Sequence, residues 1–245
     1  MRPRLARAFG GLLASLSLVP AALTQTFDVK GLHVEKGATE VVSDNAFFAG
    51  GPSRSGHEQI VHYGLRDWWR LTAAVEWDNP IGGDIQATHA AVESIFVLRP
   101  MTDGSLGLGL FAALEGSLHR SSTNAFVFGP IVAARWGRLT TTINPFFEET
   151  FGRNREEGIA LTYGLQTKYE VGGGFSIGAE GYGLVENLGD TPRLADQQHR
   201  VGPVLFQEVS LREGVKMEPS FGILFGLTPA TPDVTFRLNV DFHFH

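Results

Sequence analysis

The chain has 245 residues, a formal net charge of −6 and no cysteine. A mildly acidic balance argues against a nucleic-acid-binding surface. The lack of cysteine excludes a disulfide scaffold, a thiolate metal site and the lipid-anchor cysteine of a bacterial lipoprotein. Composition does not change abruptly along the rest of the chain, so one domain is predicted.

The first 25 residues predict a secretory signal peptide. Arg2, Arg4 and Arg7 form a basic start, and an uncharged apolar run follows at residues 9–23. Small residues then predict cleavage near residues 22–26. The alternative is a membrane-anchoring helix, for which the apolar run is short. We therefore expect an exported chain whose single domain covers residues 26–245.

Beyond the signal, apolar residues take every second position in one stretch after another, which is typical of strands exposed to different surroundings on their two faces. Twelve strands are predicted, most of them about as long as a tilted membrane-spanning strand needs to be. Their spans are about 32–48, 56–65, 69–78, 86–98, 105–118, 124–136, 138–150, 158–170, 175–187, 198–209, 214–226 and 233–244.

The connectors between these strands alternate in length. Tight connectors are predicted at 66–68, 100–104, 136–138, 171–174 and 211–214, and longer ones lie between them. Outer-membrane barrels have short periplasmic turns and longer external loops. If the N-terminus starts in the periplasm, the tight set falls on the periplasmic side.

The last strand, residues 233–244, raises the question of which face is inside. In a soluble sandwich or barrel the apolar face packs on a core, whereas in an outer-membrane barrel it meets lipid. Long strands in even number after an export signal favour lipid outside. Aromatic residues near the strand ends agree, with Trp69 and Trp136 beside tight turns and Trp77 and Phe147 toward longer loops.

From about residue 30 to 245, the chain resembles a Gram-negative outer-membrane β-barrel of the porin or channel kind. The resemblance is most specific in the last strand, which is similar to the C-terminal insertion signal of that class. Phe244 is penultimate, and His245 stands where the class usually ends in Phe. The resemblance implies a closed antiparallel up-and-down barrel of about 12 strands in the outer membrane. It also implies that lipid and the barrel-assembly machinery, acting through the C-terminal strand, are partners.

The polar faces of the strands predict a lumen of mixed charge. This mixture fits either cross-strand ion pairs that stiffen the wall or a lining that selects solutes by charge. Acids outnumber bases, so a conducting pore should mildly prefer cations. Small residues such as Gly107 and Gly109 are expected to leave space, and no loop is long enough to plug the barrel firmly. The candidate lumen residues are Arg70, Glu76, Glu93, Glu115, Arg135, Glu148, Lys168, Glu180, Arg200, Glu208, Lys216, Glu218, Arg237 and Asp241.

Four prolines fall on the predicted lipid-facing positions of two hairpins. Pro130 and Pro145 are predicted to lie nearly opposite one another near mid-wall, as are Pro203 and Pro219. Proline has no N–H to donate to the ladder. We expect a bulge or kink at both places, with the freed carbonyls turned toward the lumen.

The best functional hypothesis from sequence is a narrow passive channel for a small, unidentified solute. The alternative is a non-conducting structural or interaction barrel that acts through its outer loops, and an outer-membrane hydrolase comes third. His119 and His199 lie near predicted outer loops but form no recognisable catalytic motif. Phosphate loops, haem motifs and zinc spacings are absent from the sequence, so no cofactor or metal is predicted.

Overall fold

The computed structural model describes residues 27–120 and 122–245, and the predicted signal peptide with its cleavage site lies outside them. The described chain is almost entirely β-structure. Its elements are β1 (Thr39–Ala49), β2 (Ser53–Arg66), β3 (Trp69–Pro80), β4 (Gln86–Arg99), β5 (Leu106–Ser117), β6 (Asn124–Trp136), β7 (Leu139–Phe151), β8 (Ala160–Gly172), β9 (Phe175–Val185), a 3₁₀ turn (Leu194–Asp196), β10 (Gln198–Gln207), β11 (Val209–Arg212), β12 (Val215–Gly226) and β13 (Val234–Phe244).

The strands form one closed antiparallel barrel, as predicted. Consecutive strands pair with one another up to β10, which pairs with β12 rather than with β11, and β1 pairs with β13 to close the ring. Both β10 and β11 pair with β12 in the same register, so they are two parts of one strand interrupted at Glu208. The barrel therefore has twelve strands in up-and-down order.

Side chains on the outside of the wall are mostly apolar, whereas the inside carries polar side chains together with buried apolar ones such as Ile60, Ile95 and Ile131. In β13, Phe236 and Leu238 are 41% and 40% exposed, whereas Thr235 and Arg237 are 0% and 4% exposed. The lipid-facing alternation predicted for this strand is confirmed. In the part of the chain that the structure describes, no helix is long and apolar enough to cross a membrane.

The two ends of the barrel differ in their connectors. We call the end with the tight connections, where β1 begins and β13 ends, the turn end. The other end carries the longer connections and is called the loop end. Its longest connection, residues 186–197, contains the 3₁₀ turn. The side of the membrane that each end faces remains a prediction.

The first strand begins at Thr39, so the predicted start at residue 32 is wrong. Residues 27–38, called here the N-terminal segment, form no strand and run inside the barrel. Phe27 belongs to this segment and is only 2% exposed, because its ring packs against Tyr182 inside the barrel. At the turn end, Gly37 N donates to Gly64 O at 2.7 Å and leads the chain into the wall.

In the β6–β7 hairpin, Pro130 lies opposite Pro145, as predicted. Backbone pairing stops after Phe128 and resumes at Val132 in the same register. No residue is inserted on either strand, so the predicted bulge is absent from this hairpin. The two prolines instead leave a gap in the ladder, and a kink remains a prediction.

In the second hairpin, the predicted pairing of Pro203 with Pro219 is wrong. The register places Pro203 opposite Ile223 and Pro219 opposite Gln207. The prediction centred this hairpin on Leu211, the first residue of the connector, whereas Arg212 pairs with Val215 and the turn lies at residues 213–214. Between β10 and β12 the backbone pairing is interrupted at Pro203 and does not include Pro219, without a change of register, so these positions also lack a bulge.

Two carbonyl groups beside these prolines point toward the lumen. A Cβ at Gly129, whose position faces inward, would overlap the Pro145 carbonyl oxygen. A Cβ at Gly202 would likewise overlap the carbonyl oxygen of Ile223, the residue opposite Pro203. These glycines therefore give the carbonyls room to turn inward, away from hydrocarbon, where an unpaired carbonyl is costly.

Candidate functional site

The N-terminal segment crosses the lumen from one wall to the other. Phe27 contacts side chains of β9, β10 and β13. Lys30 contacts β4 and β7. Because β4 and β10 lie on opposite sides of the strand ring, one short stretch of chain bridges the interior.

The Phe27 end of the segment is held by its backbone and its ring. Arg237 Nε donates to the Phe27 carbonyl oxygen at 2.6 Å, and the Tyr182 hydroxyl lies 3.1 Å from the same oxygen. The Phe27 and Tyr182 ring centroids are 5.1 Å apart. The Arg200 guanidinium lies 4.4 Å from the Phe27 ring centroid, within cation–π range.

A buried carboxylate fixes the arginine that binds Phe27. Glu180 is 1% exposed, and its Oε2 lies 3.4 Å from Arg237 Nη1. Gln166 Nε2 donates to Glu180 Oε1 at 2.8 Å, and the Tyr182 hydroxyl donates to Oε2 at 2.7 Å. Each carboxylate oxygen therefore has a donor, which a buried charge requires.

Lys30 anchors the segment to the opposite wall. Its ammonium Nζ lies 3.1 Å from Glu93 Oε2 and 3.2 Å from Asp28 Oδ2, and 5.6 Å from the centroid of the Phe111 ring. Asn144 Nδ2 donates to the Lys30 carbonyl oxygen at 3.1 Å. Lys30 is buried, so these contacts replace its water.

The segment also fills the space that small wall residues provide. A Cβ at Gly107 or at Gly109 would collide with the Leu32 methyl groups. The prediction that no loop plugs the barrel concerned the connections between strands. The chain that occupies part of the lumen instead precedes β1.

Two open cavities flank the N-terminal segment. The loop-end cavity has an empty volume of about 860 Å³, and the turn-end cavity one of about 760 Å³, both including space open to solvent. The loop-end cavity is lined by Phe27, Asp28, Lys30, Glu58, Glu76, Glu93, Phe111, Glu115, Val127, Asn144, Phe146, Glu148, Thr162, Tyr163, Gly164, Tyr182 and Gly183. The turn-end cavity is lined by Asp28, Val29, Gly31, His33, Glu40, Val42, His62, Arg70, Glu218, Asn239, Asp241 and His243.

The predicted lumen residues separate into four groups along the barrel axis. Glu76, Glu93, Glu115 and Glu148 line the loop-end cavity, and Arg70, Glu218 and Asp241 line the turn-end cavity. Glu180, Arg200 and Arg237 hold the N-terminal segment between them. Arg135, Glu208, Lys216 and Lys168 lie nearer the turn end.

These last residues have partners of their own. Arg135 Nη2 lies 2.9 Å from Glu170 Oε1, and Lys216 Nζ lies 3.1 Å from Glu208 Oε1. Both pairs are about half-exposed and stand at the rim rather than in an enclosed passage. Lys168 Nζ lies 5.0 Å from the centroid of the Phe206 ring.

Sequence reasoning missed the residues that divide the lumen, namely Phe27, Asp28, Lys30, Asn144 and Tyr182. One signal was present: the stretch FDVK carries two charges between the predicted cleavage site and the first strand. Charges at alternate positions can line a lumen, but they do not reveal a chain that runs within it.

Sequence comparison and fold comparison give different results. No protein-family model matches the chain, and a search of curated proteins finds no significant match. The fold, in contrast, is shared with solved outer-membrane proteins. The COG4313 outer membrane channel from Pseudomonas putida F1 is 13% identical with a TM-score of 0.60, covering 89% of this chain and 98% of that one.

Two porins share the same architecture. The NanC porin is 10% identical with a TM-score of 0.58, covering 84% of this chain and 99% of that one. The KdgM porin in complex with disordered oligogalacturonate is 12% identical with a TM-score of 0.54, covering 84% and 98%. The chain has the fold of outer-membrane channels. At these identities the likeness concerns the fold alone.

Proposed function

We propose that the protein is a narrow passive outer-membrane channel for small solutes. The observation that carries this proposal is the interior, where two open cavities lined by polar and apolar side chains are separated by the N-terminal segment and the buried apolar side chains packed against it. In eight-stranded barrels side chains alone can fill the interior, but twelve strands enclose more room.

The shared fold with porins and with a channel supports this proposal without naming the solute. One of those porins was solved with oligogalacturonate, a polyanion. Here the loop-end cavity is lined by Asp28 and five glutamates. Like charges repel strongly where water is scarce, so we do not extend polyanion transport to this chain.

A non-conducting barrel is the second candidate, and one observation favours it. The N-terminal segment makes hydrogen bonds and ion pairs to both sides of the lumen. A segment that never moves would leave the passage closed. The protein would then act through its loop-end surface.

A hydrolase has less support from the described residues. His199 Nδ1 lies 2.8 Å from the Tyr163 hydroxyl, and its Nε2 lies 2.9 Å from Gln197 Oε1. Asp196, the nearby acid in sequence, binds Arg193 at 2.8 Å. This arrangement does not present a nucleophile with its base and orienting acid.

Single-channel recording in planar bilayers tests the channel proposal. Purified, folded protein should give discrete conductance steps, smaller than those of a sixteen-stranded general porin under the same salt. A heat-unfolded sample of the same protein is the matched control. Membranes that contain folded barrels and pass no current would refute the proposal and favour the second candidate.

A further inference from the structure

The loop-end cavity has more negative groups than its lining can neutralise. Asp28, Glu58, Glu76, Glu93, Glu115 and Glu148 line it, and Lys30 is the only lysine or arginine among its described lining residues. His89 Nδ1 lies 3.3 Å from Glu76 Oε2 and adds one further partner. Such an excess of carboxyl groups is relieved either by proton uptake or by a cation supplied from outside the chain.

An acidic cluster alone does not make a site, but Glu148 adds an independent observation. It is 5% exposed and lines the cavity. Within residues 27–120 and 122–245, no hydrogen bond or ion pair reaches its carboxylate. Buried carboxylates are normally paired or hydrogen-bonded. This side chain faces a solvent-connected cavity, so the donors to its carboxylate come from water or from a bound ligand.

Lys30 shows how this cavity receives a positive group. Its ammonium sits between the carboxylates of Glu93 and Asp28, with the ring of Phe111 on a third side. Carboxylates together with an aromatic face are the usual surroundings of a bound alkylammonium. Lys30 thus occupies one position for an ammonium group in this cavity. The side of the cavity that Glu148 lines remains open to a second ammonium group.

The rest of the lining favours an organic cation over a metal ion. Phe146, Tyr163 and Tyr182 add aromatic surface that would contact an alkyl chain. In the described part of the chain, no group of three or more His, Asp or Glu side chains is arranged to hold a metal. Apolar contact beside separated carboxylates suits a chain carrying amines at its ends.

We propose that the loop-end cavity binds small alkyl amines, with Glu148 and Glu115 receiving an ammonium group as Glu93 and Asp28 receive that of Lys30. This deepens the proposed function by naming the class of solute, and it rests on that function only for the step from binding to passage. An entering amine competes with Lys30 for carboxylates, so binding and the position of the N-terminal segment are linked.

Calorimetric titration of the detergent-solubilised, folded barrel tests binding without requiring conduction. The probe is 1,5-diaminopentane, compared with neutral 1,5-pentanediol and with the dianion glutarate. Saturable binding of the diamine alone is expected. Binding of the diol with equal affinity, preference for glutarate, or displacement of the diamine by an equal concentration of Ca²⁺ would overturn the proposal.

Substitutions locate the site within the barrel. Glu148→Gln should weaken diamine binding about tenfold or more, because a charge-assisted hydrogen bond is lost. The matched control is Glu149→Gln, one residue away on the exposed face, which should leave affinity unchanged. Equal effects of the two variants would contradict the assignment, and thermal melting of each variant establishes that the barrel is folded.

The two proposals fail in different ways. A folded barrel that binds diamine but never conducts refutes the channel and leaves the amine site standing. A barrel that conducts, yet neither binds diamine nor responds to Glu148→Gln, refutes the amine site and leaves the channel standing.

Discussion

The loop-end and turn-end cavities differ in how far their acidic side chains are matched by bases. In the turn-end cavity acids meet bases: Arg70 Nη1 lies 3.5 Å from Glu40 Oε2, and His243 lies 3.4 Å from Glu40 and 3.6 Å from Glu218. In the loop-end cavity six acids face Lys30. The comparison teaches that lumen charge serves two purposes here. Most acids of the turn-end cavity meet a base within the wall, whereas we propose an external ligand for those of the loop-end cavity.

The largest expected effect compares one new positive charge at two positions of β8. Leu165 is 40% exposed on the outer face, and Thr162 lines the acidic loop-end cavity. Leu165→Arg should destabilise the barrel in bilayers by roughly 2–4 kcal/mol, because arginine at mid-depth meets lipid. Thr162→Arg should be tolerated, since carboxylates surround it. Urea unfolding in lipid vesicles measures both.

Equal destabilisation by the two arginines would contradict the idea that the loop-end cavity accepts added positive charge. Thr162→Gln, which is long and uncharged, controls for the steric part of the change.

The next effect concerns the segment that separates the cavities. Deletion of residues 27–33 removes the contacts to Arg237, Tyr182 and Glu93, while Gly37 and the rest of the turn into β1 remain. Single-channel conductance should rise several-fold, because the two cavities then join. Heat-modifiable migration in electrophoresis checks that the barrel still folds. A folded deletion variant with unchanged conductance would show that the segment does not limit the passage.

A milder form of the same test keeps the whole N-terminal segment and shortens one of its side chains. Leu32→Ala takes away the methyl groups beside Gly107 and Gly109 but no charge. It should raise conductance less than the deletion does, and ion selectivity should stay the same.

The smallest predicted effect compares the positive groups of the two cavities. Lys30→Gln should increase cation preference, about twofold in permeability ratio at low salt, where charges are least screened. Arg70→Gln should shift it less, because Arg70 already shares Glu40 with His243. Reversal potentials across a KCl gradient measure both. A larger shift for Arg70→Gln would reverse the roles assigned to the cavities.

Much of the wall can be predicted from sequence because the rule that makes it is local. Each strand alternates between lipid and lumen, so period two marks its length and its faces. Residues 124–136 were predicted as a strand, and β6 spans Asn124–Trp136. The charged lumen positions followed from the same parity.

The errors arose where tertiary contacts, rather than the local sequence pattern, determine the structure. Pro203 was paired with Pro219 because the turn was placed near Leu211, and the later turn moves the register by four residues. The N-terminal segment was missed for a stronger reason. Its carbonyl at Phe27 is bound by Arg237, more than two hundred residues later, and no periodicity encodes such a contact.

The N-terminal segment has a consequence for assembly, because it connects directly to the strand that closes the barrel. Residues 27–38 lead into β1, and pairing of β1 with β13 seals the cylinder. A segment inside a sealed cylinder either entered before closure or threaded through a mouth afterwards. If the segment enters before closure, Lys30 pairs with Glu93 while the gap between β1 and β13 is still open to water. Pairing of β1 with β13 then encloses an ion pair that has already formed. If the segment threads through a mouth afterwards, the ammonium must shed its water alone before it reaches its partner, which is far costlier. The timing of seam closure therefore decides whether the lumen is filled during insertion or after it.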